Sequence, residues 1–238
     1  MQRSIRLVAL DMDGTVTQHK SKLEPFNKVA LDKLQEKYKI IFVGAGSCTR
    51  IWNQLNHYPV DIIGNYGMQH AVIQPNGKLD VFRTDTVQVN KENIAGKITE
   101  IREKYNLTIY SGESVEFHDS GLVTFPLLGT TADICDKLCY DPDRKKRRTI
   151  YKDVCSYFPE YTVFIGGSSS FDLAPPPYNK LWALQEYANT HGYDISEILY
   201  IGDDYGLGGN DEQIFKSEIK TIGIDDYHDF PKIVETLL

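Results

Sequence analysis

Short runs of strand length alternate with segments whose apolar residues recur at helical spacing. This alternation constrains the fold of the 238-residue chain more than any other feature. Ile5 to Leu10 reads as a buried strand. Pro25 to Tyr38 places Phe26, Val29, Ala30 and Leu34 on a helical period, with proline at the start, where a helix tolerates it. Ile40 to Val43 reads as a second buried strand, Thr49 to Leu55 as a helix, and Asp61 to Gly64 as a third strand. Strand, helix, strand, helix, strand implies an α/β core: a doubly wound parallel sheet with helices on both faces.

The rhythm then changes. Gln69 to Ile73 and Leu79 to Arg83 flank Pro75-Asn76-Gly77, a hairpin signal. A helix follows with Ile94, Ile98, Ile101 and Tyr105 on one face. Leu107 to Tyr110, Val115 to Phe117 and Leu122 to Phe125 are strand candidates. A further helix is expected from about Lys145 to Phe158, and a strand from Thr162 to Ile165. Helix, antiparallel strands, helix, strand describes an α+β insert. Parallel-sheet rhythm returns after Pro177, with a helix over Tyr178 to His191, strands at Ile198 to Ile201 and Ile219 to Ile224, and a closing helix from Phe230. The expected organisation is a Rossmann-like core over residues 1–84 and 169–238, interrupted by an α+β cap over residues 85–168.

The chemistry begins where the first strand ends. Asp11-Met12-Asp13-Gly14-Thr15 puts two carboxylates two residues apart, and side chains at i and i+2 of an extended chain point the same way. A nucleophilic Asp beside an acid/base Asp is the pair that phosphoryl transfer through an aspartyl-phosphate requires. Ser47 ends the small-residue turn Gly44-Ala45-Gly46 after the second strand. Ligands of open parallel sheets gather at the carboxyl ends of strands, so Ser47 is a phosphate-binding candidate. Lys180 follows the proline run Pro175-Pro176-Pro177 and is placed to neutralise a phosphate and its nucleophile. Ile201-Gly202-Asp203-Asp204 ends a later strand in acids. Asp11, Asp13 and Asp203 around a phosphate dianion repel one another strongly, which calls for a divalent cation, with Mg²⁺ the expected cofactor.

Composition excludes other partners. The formal net charge of −7 argues against nucleic acid and against an anionic membrane surface. No apolar run approaches the roughly 20 residues of a membrane helix. No long apolar stretch follows Arg3 and Arg6, so no leader is expected and the cytoplasm is the expected compartment. Cys48, Cys135, Cys139 and Cys155 lack zinc or redox spacing and are expected as free thiols. The basic run Arg144 to Arg148 is expected as a solvated helix face.

In this order and context, these motifs resemble the haloacid dehalogenase-like phosphotransferase superfamily. GGSSSFDLAPPPYNK and IGDDYGLGGNDEQIF resemble the corresponding stretches of eukaryotic phosphomannomutases, as does SVEFHDSGLVTFPLLG in the insert. The resemblance implies that Asp11 attacks phosphorus. It implies that Asp13 protonates the leaving oxygen and then activates the incoming water or hydroxyl, while Ser47 and Lys180 hold the phosphoryl group. Asp11, the main-chain carbonyl of Asp13, and Asp203 would bind Mg²⁺, supported by Asn210 and Asp211. Asp172 matches a position that in the mutases faces the sugar.

Departures from the family pattern bear on the acceptor. The mutases grip a distant second phosphate with arginines of the cap. Here His118 or Asp119 stands for one of them, Thr130 for another, and no arginine occurs from Leu122 through Asp143. Lys20 stands where the mutases carry an arginine after the first motif, and Asp204 replaces a lysine. Neither histidine nor threonine reproduces an arginine fork on phosphate. Lys20, His118, Thr130 and Asp172 are therefore the substrate-contact candidates. The expected activity is a Mg²⁺-dependent phosphatase of a small phosphorylated metabolite, a sugar phosphate favoured. A phosphomannomutase-type phosphohexomutase is the alternative. A non-catalytic phospho-acceptor or binding protein is a distant third, because Asp13 beside Asp11 favours turnover.

Overall fold

A computed structural model describes residues 4–238. Residues 1–3 lie outside the described residues, and with them Arg3, on which the expectation about a leader partly rests. The chain divides into two compact units. The core unit contains the described residues up to Thr84, then Asn179–Gly206 and Asp211–Leu238. The inserted unit contains Asp85–Tyr178 and Leu207–Asn210.

The elements follow in chain order. The core opens with β1 (Leu7–Leu10), α1 (Pro25–Lys37), β2 (Lys39–Val43), α2 (Cys48–Gln54), β3 (Asp61–Gly64), β4 (Gln69–Ile73) and β5 (Leu79–Thr84). The inserted unit carries α3 (Lys91–Lys104), β6 (Glu116–Phe117), β7 (Val123–Pro126), α4 (Ile134–Tyr140), α5 (Lys145–Tyr157), β8 (Thr162–Gly166) and β9 (Ser170–Ala174). The core resumes with α6 (Lys180–His191), β10 (Ile198–Gly202), α7 (Glu212–Phe215), β11 (Lys220–Gly223) and α8 (Phe230–Leu237).

The core sheet runs β11-β10-β1-β2-β3-β4-β5. Its first five strands are parallel, and the β4–β5 hairpin closes one edge antiparallel. Alternation along the central strands serves both faces. Val8 and Leu10 pack with Phe42, Leu31, Leu34 and Val234 in one cluster. Leu7 and Ala9 pack with Ile41, Val43, Ala183 and Leu184 in another. Burial on both faces explains why these strands read as unbroken apolar runs. The core is thus the doubly wound sheet that the alternation implied.

The inserted unit is an antiparallel sheet, β6-β7-β9-β8. One face packs Val123, Phe125, Phe171 and Leu173 against Ile94, Ile98 and Ile101 of α3, Val154 of α5 and Phe158 just past its end. The boundary expected at residue 168 moves to Tyr178, because β9 pairs with both β7 and β8 and so belongs to this sheet. The GGSSSFDLAPPP stretch hid that strand behind glycine, serine and proline. Conversely, Leu107 to Tyr110 is no strand; Ile109 is 91% exposed and the segment has no sheet partner to cover it. The cysteines are free thiols. The basic run is not a uniformly solvated face: Arg147 is 1% exposed and ion-paired to Asp141 at 2.8 Å. Among the described residues, no helix is long and apolar enough to cross a membrane.

Candidate active site

The site forms where β1 and β10 end side by side. Their parallel pairing continues one residue past β1, with the Asp11 amide donating to the Ile201 carbonyl at 2.9 Å. The chain then folds into a tight loop in which the amides of Val16 and Thr17 both donate to the Met12 carbonyl. Gly14 makes that loop possible. Its φ is +93°, and a Cβ there would come within 2.5 Å of Asp203 Oδ2, so the turn needs glycine for conformation and for space.

Lys180 is the first residue of α6, whose N-cap is Asn179; the Asn179 side chain accepts from the Trp182 amide at 2.8 Å. The Lys180 side chain is fully buried, and its Nζ donates to Asp11 Oδ1 at 2.6 Å, across 169 positions of sequence, and to Asp211 Oδ1 at 2.8 Å. Tyr200 Oη donates to Asp211 Oδ1 at 2.5 Å and accepts from Lys180 at 3.4 Å. The Asp204 amide donates to Asp211 Oδ2 at 3.1 Å.

Asp11, Asp203 and Asp211 each offer a carboxylate oxygen, and these oxygens lie within 4.8 Å of one another. Burial pushes the Asp11 carboxyl well above the usual range; Lys180 pulls it back, while Asp211 and Asp203 raise it further. Burial alone would lower Lys180, but Asp11 and Asp211 outweigh it and hold the ammonium above its ordinary value. One ammonium among three carboxylates leaves a negative surplus in a dry place. The donor set therefore fits a hard divalent cation. Asp211 has both oxygens engaged by Lys180, Tyr200 and the Asp204 amide.

Asp13 faces a different environment. Its Oδ2 accepts from Arg50 Nη2 at 2.8 Å, and its Oδ1 accepts from Gln54 Nε2 at 2.6 Å and from the Lys20 amide at 3.0 Å. Burial would raise this carboxyl, but Arg50, His19, the Lys20 amide and Gln54 outweigh it and bring it below the usual carboxylate range. The Asp13 carboxylate is thus held by Arg50 and Gln54, which leaves its main-chain carbonyl as the expected ligand, and the carboxylate that lies beside those of Asp11 and Asp203 is that of Asp211.

Ser47 is the N-cap of α2, its Oγ accepting from the Arg50 amide at 3.2 Å. The hydroxyl expected to hold phosphate thus starts a helix, because the Gly44–Gly46 turn leads directly into α2. Asn210 lies in the 207–210 segment of the inserted unit.

The remaining candidates belong to the inserted unit. His118 Nε2 lies 3.1 Å from Thr124 Oγ1, and Thr124 Oγ1 donates to Asp172 Oδ1 at 3.0 Å, a polar line across β7 and β9. Thr130 Oγ1 accepts from the Glu113 amide at 2.9 Å and so ties two segments 17 residues apart. Arg50, Gln54 and Tyr200 were not among the sequence candidates. The four-residue spacing of Arg50 and Gln54 on α2 was the available signal; Tyr200 was hidden inside the apolar run of β10.

A family model described as eukaryotic phosphomannomutase matches residues 27–238. A phosphomannomutase of Schizosaccharomyces pombe is 28% identical over 233 residues, covering 91% of this chain and 87% of that protein. One from Drosophila melanogaster is 25% identical over 234 residues, covering 93% and 90%. Among solved structures, an N-terminally truncated, IMP-bound IMP-nucleotidase of Plasmodium falciparum superposes with a TM-score of 0.73 at 13% identity, covering 98% of this chain and 68% of that one. A haloacid dehalogenase-like hydrolase from B. subtilis gives 0.62 at 16% identity, covering 98% and 100%. At such identities the two structures speak to the fold.

Proposed function

The chain belongs to the eukaryotic phosphomannomutase family, within the haloacid dehalogenase-like superfamily, and from that premise we propose that it transfers a phosphoryl group of a hexose phosphate through Asp11. The observation that carries this reading is the buried contact of Lys180 with Asp11, beside Asp203 and Asp211. An Asp11 oxygen attacks phosphorus and the bond to the leaving oxygen breaks; Asp13 supplies the proton that oxygen needs, and must first take one up from solvent because Arg50 holds its carboxyl below the usual range. In the second half, Asp13 takes a proton from the acceptor as the acyl-phosphate bond breaks. Lys180 offsets charge on Asp11 and on the incoming phosphoryl oxygens. Asp11 and Asp203, with the Asp13 main-chain carbonyl that the family resemblance implies, would hold Mg²⁺, which when bound supplies the positive charge this acidic corner lacks.

The names of the relatives support a hydroxyl acceptor, and with it mutase-type isomerisation, over hydrolysis. A specific observation favours water as a second reading. Two arginines of the inserted unit are turned inward. Arg102 donates to the carbonyls of Leu107, Pro126 and Leu127, and Arg147 to Asp141 and the carbonyls of Gly166 and Gly167.

Incubation with mannose 1-phosphate, Mg²⁺ and a hexose bisphosphate activator, followed by ³¹P NMR, separates the two. Isomerised hexose phosphate supports the mutase, and release of inorganic phosphate supports the hydrolase. An Asp11→Asn protein that still performs either reaction sinks the common premise.

A further inference from the structure

Lys180 serves two carboxylates at once. Its Nζ lies 2.6 Å from Asp11 Oδ1 and 2.8 Å from Asp211 Oδ1, so the acid read as the phosphoryl acceptor shares its ammonium with an acid that accepts nothing. A third group stands at that fork. Tyr200 Oη lies 2.5 Å from Asp211 Oδ1 and 3.4 Å from Lys180 Nζ. An ionised carboxylate only accepts and an ammonium only donates, which fixes both directions: the hydroxyl proton goes to Asp211, and an oxygen lone pair faces Lys180.

Tyr200 is built into the core. It is fully buried on β10, in the apolar cluster that holds Ala183 and Leu184 of α6 and Ile214 of α7. Its ring meets that of Phe215 edge-on, with centroids 6.4 Å apart. Gly202, two residues on and therefore on the same face of the strand, leaves room for the arrangement. A Cβ there would come within 2.7 Å of the Tyr200 ring and 2.4 Å of Asp211 Oδ2. A phenylalanine would satisfy the same packing. The hydroxyl is what packing leaves unexplained, and its polar contacts run to Asp211 and Lys180.

We infer that the Tyr200 hydroxyl is a positioning group for Lys180 and acts through Asp211. By donating to Asp211 Oδ1 it disperses charge that the ammonium would otherwise meet alone. Lys180 is thereby left directed at Asp11 and at the phosphoryl group that Asp11 receives. The distances assign the route, since the contact with Asp211 is the short one and that with Lys180 is at the limit of a hydrogen bond. The Asp204 amide holds Asp211 Oδ2, so the carboxylate stays in place when the hydroxyl is removed, and it then draws Lys180 off Asp11. The inference rests on Asp11 as the phosphoryl acceptor.

The test is Tyr200→Phe in the full chain, which keeps the ring and its packing; thermal melts verify the fold. Two quantities are read at saturating Mg²⁺: kcat for a simple aryl phosphate, and the calorimetric affinity for trifluoroberyllate, an analogue of a phosphoryl group on a carboxylate. Each should fall about tenfold. The same substitution in an Asp211→Asn protein separates positioning from packing, because the amide no longer holds the ammonium with a full charge. There Tyr200→Phe should change either quantity by less than about twofold. Where Asp211→Asn leaves too little turnover to measure, the trifluoroberyllate affinities complete the cycle. A Tyr200→Phe protein that matches the wild type in both quantities, or a loss of equal size in both backgrounds, overturns the inference. A wild type that neither turns over the aryl phosphate nor takes up trifluoroberyllate sinks the Asp11 reading, and this inference falls with it.

Discussion

Lys180 in the core unit and Arg147 in the inserted unit are both nearly excluded from solvent, at 0% and 1% exposure, yet the company each keeps differs. Arg147 meets the carboxylate of Asp141 and also donates to main-chain carbonyls of Gly166, Gly167 and Asp141 itself. Asp141 in turn accepts from the amides of Lys146 and Arg147. In that pair guanidinium and carboxylate balance one another. Lys180 meets Asp11 and Asp211 with Asp203 close by, which leaves a negative surplus. A balanced buried pair joins α5 to its own sheet, whereas an unbalanced one leaves charge available to a ligand. The difference separates charge that serves folding from charge that serves chemistry, and substitutions at the two places should give opposite phenotypes.

The largest effect should come from Asp11→Asn, which removes the attacking oxygen. Turnover of an aryl phosphate should fall on the order of 10⁴-fold or more. Urea denaturation without metal should show stability kept or raised, because burial, Asp211 and Asp203 all disfavour the ionised carboxylate that the substitution removes. A loss of several kcal/mol would mean that the core cluster is structural like the other. Arg147→Met should behave the opposite way. It leaves Asp141 buried without its partner, which costs about 3–5 kcal/mol, while replacing both members by apolar residues should recover much of that loss. Urea midpoints of the single and double variants test this; a single variant as stable as the wild type removes the contrast.

Metal should act on one cluster alone. Saturating Mg²⁺, at about a hundredfold excess over its dissociation constant, should stabilise the wild type by about 2.7 kcal/mol. Asp203→Asn should shrink that response, and Arg147→Met should leave it intact. Chelation should abolish turnover, and a melting temperature indifferent to Mg²⁺ would remove the case for a cation at Asp11 and Asp203. Acid sharpens the contrast with a sign. Burial would raise Asp141, but its bonds from Arg147 and from the amides of Arg147 and Lys146 outweigh that and hold it below the usual range. Its stabilisation is therefore complete above about pH 4 and is lost as pH falls through the lowered value. Asp11 is raised, so in metal-free protein falling pH protonates it first in the folded state and favours folding. Hydrogen exchange resolved by segment should show α5 and β8 loosening in acid before β1 and β10, and Asp141→Asn should erase the difference.

The two clusters were unequally legible in the sequence. The doubly wound sheet followed from strands buried on both faces, and Asp11, Lys180 and Asp203 followed from acids and a lysine where strands end and a helix begins. Arg147 was concealed in a run of five basic residues whose composition reads as solvated surface, since nothing in Arg144 to Arg148 marks which one turns inward. β9 was obscured by serines and prolines, although Phe171 and Leu173 occupy alternate positions that pack into the insert. Side-chain partners separated by long stretches of chain, such as Asp13 with Arg50 and Gln54, depend on how α2 is rotated about its axis, and composition does not encode that angle.

Ser47 tests the boundary between the two kinds of role, and it should give the smallest effect. Sequence context made it a phosphate ligand, while the fold makes it the N-cap of α2, with Oγ accepting from the Arg50 amide at 3.2 Å. A cap lost to alanine costs about 1 kcal/mol. Because α2 carries Arg50 and Gln54 to Asp13, fraying of its first turn should also loosen the hold on that carboxylate. Ser47→Ala should therefore lower the urea midpoint slightly and reduce kcat several-fold, whereas Ser47→Asp, which caps as well as serine, should restore the midpoint. If the hydroxyl instead holds the phosphoryl group, the aspartate adds a negative charge against it, and kcat should fall far below that of the alanine variant while the midpoint recovers. Equal recovery of kcat and midpoint in Ser47→Asp assigns the residue to the helix; a midpoint that recovers without kcat returns it to the substrate.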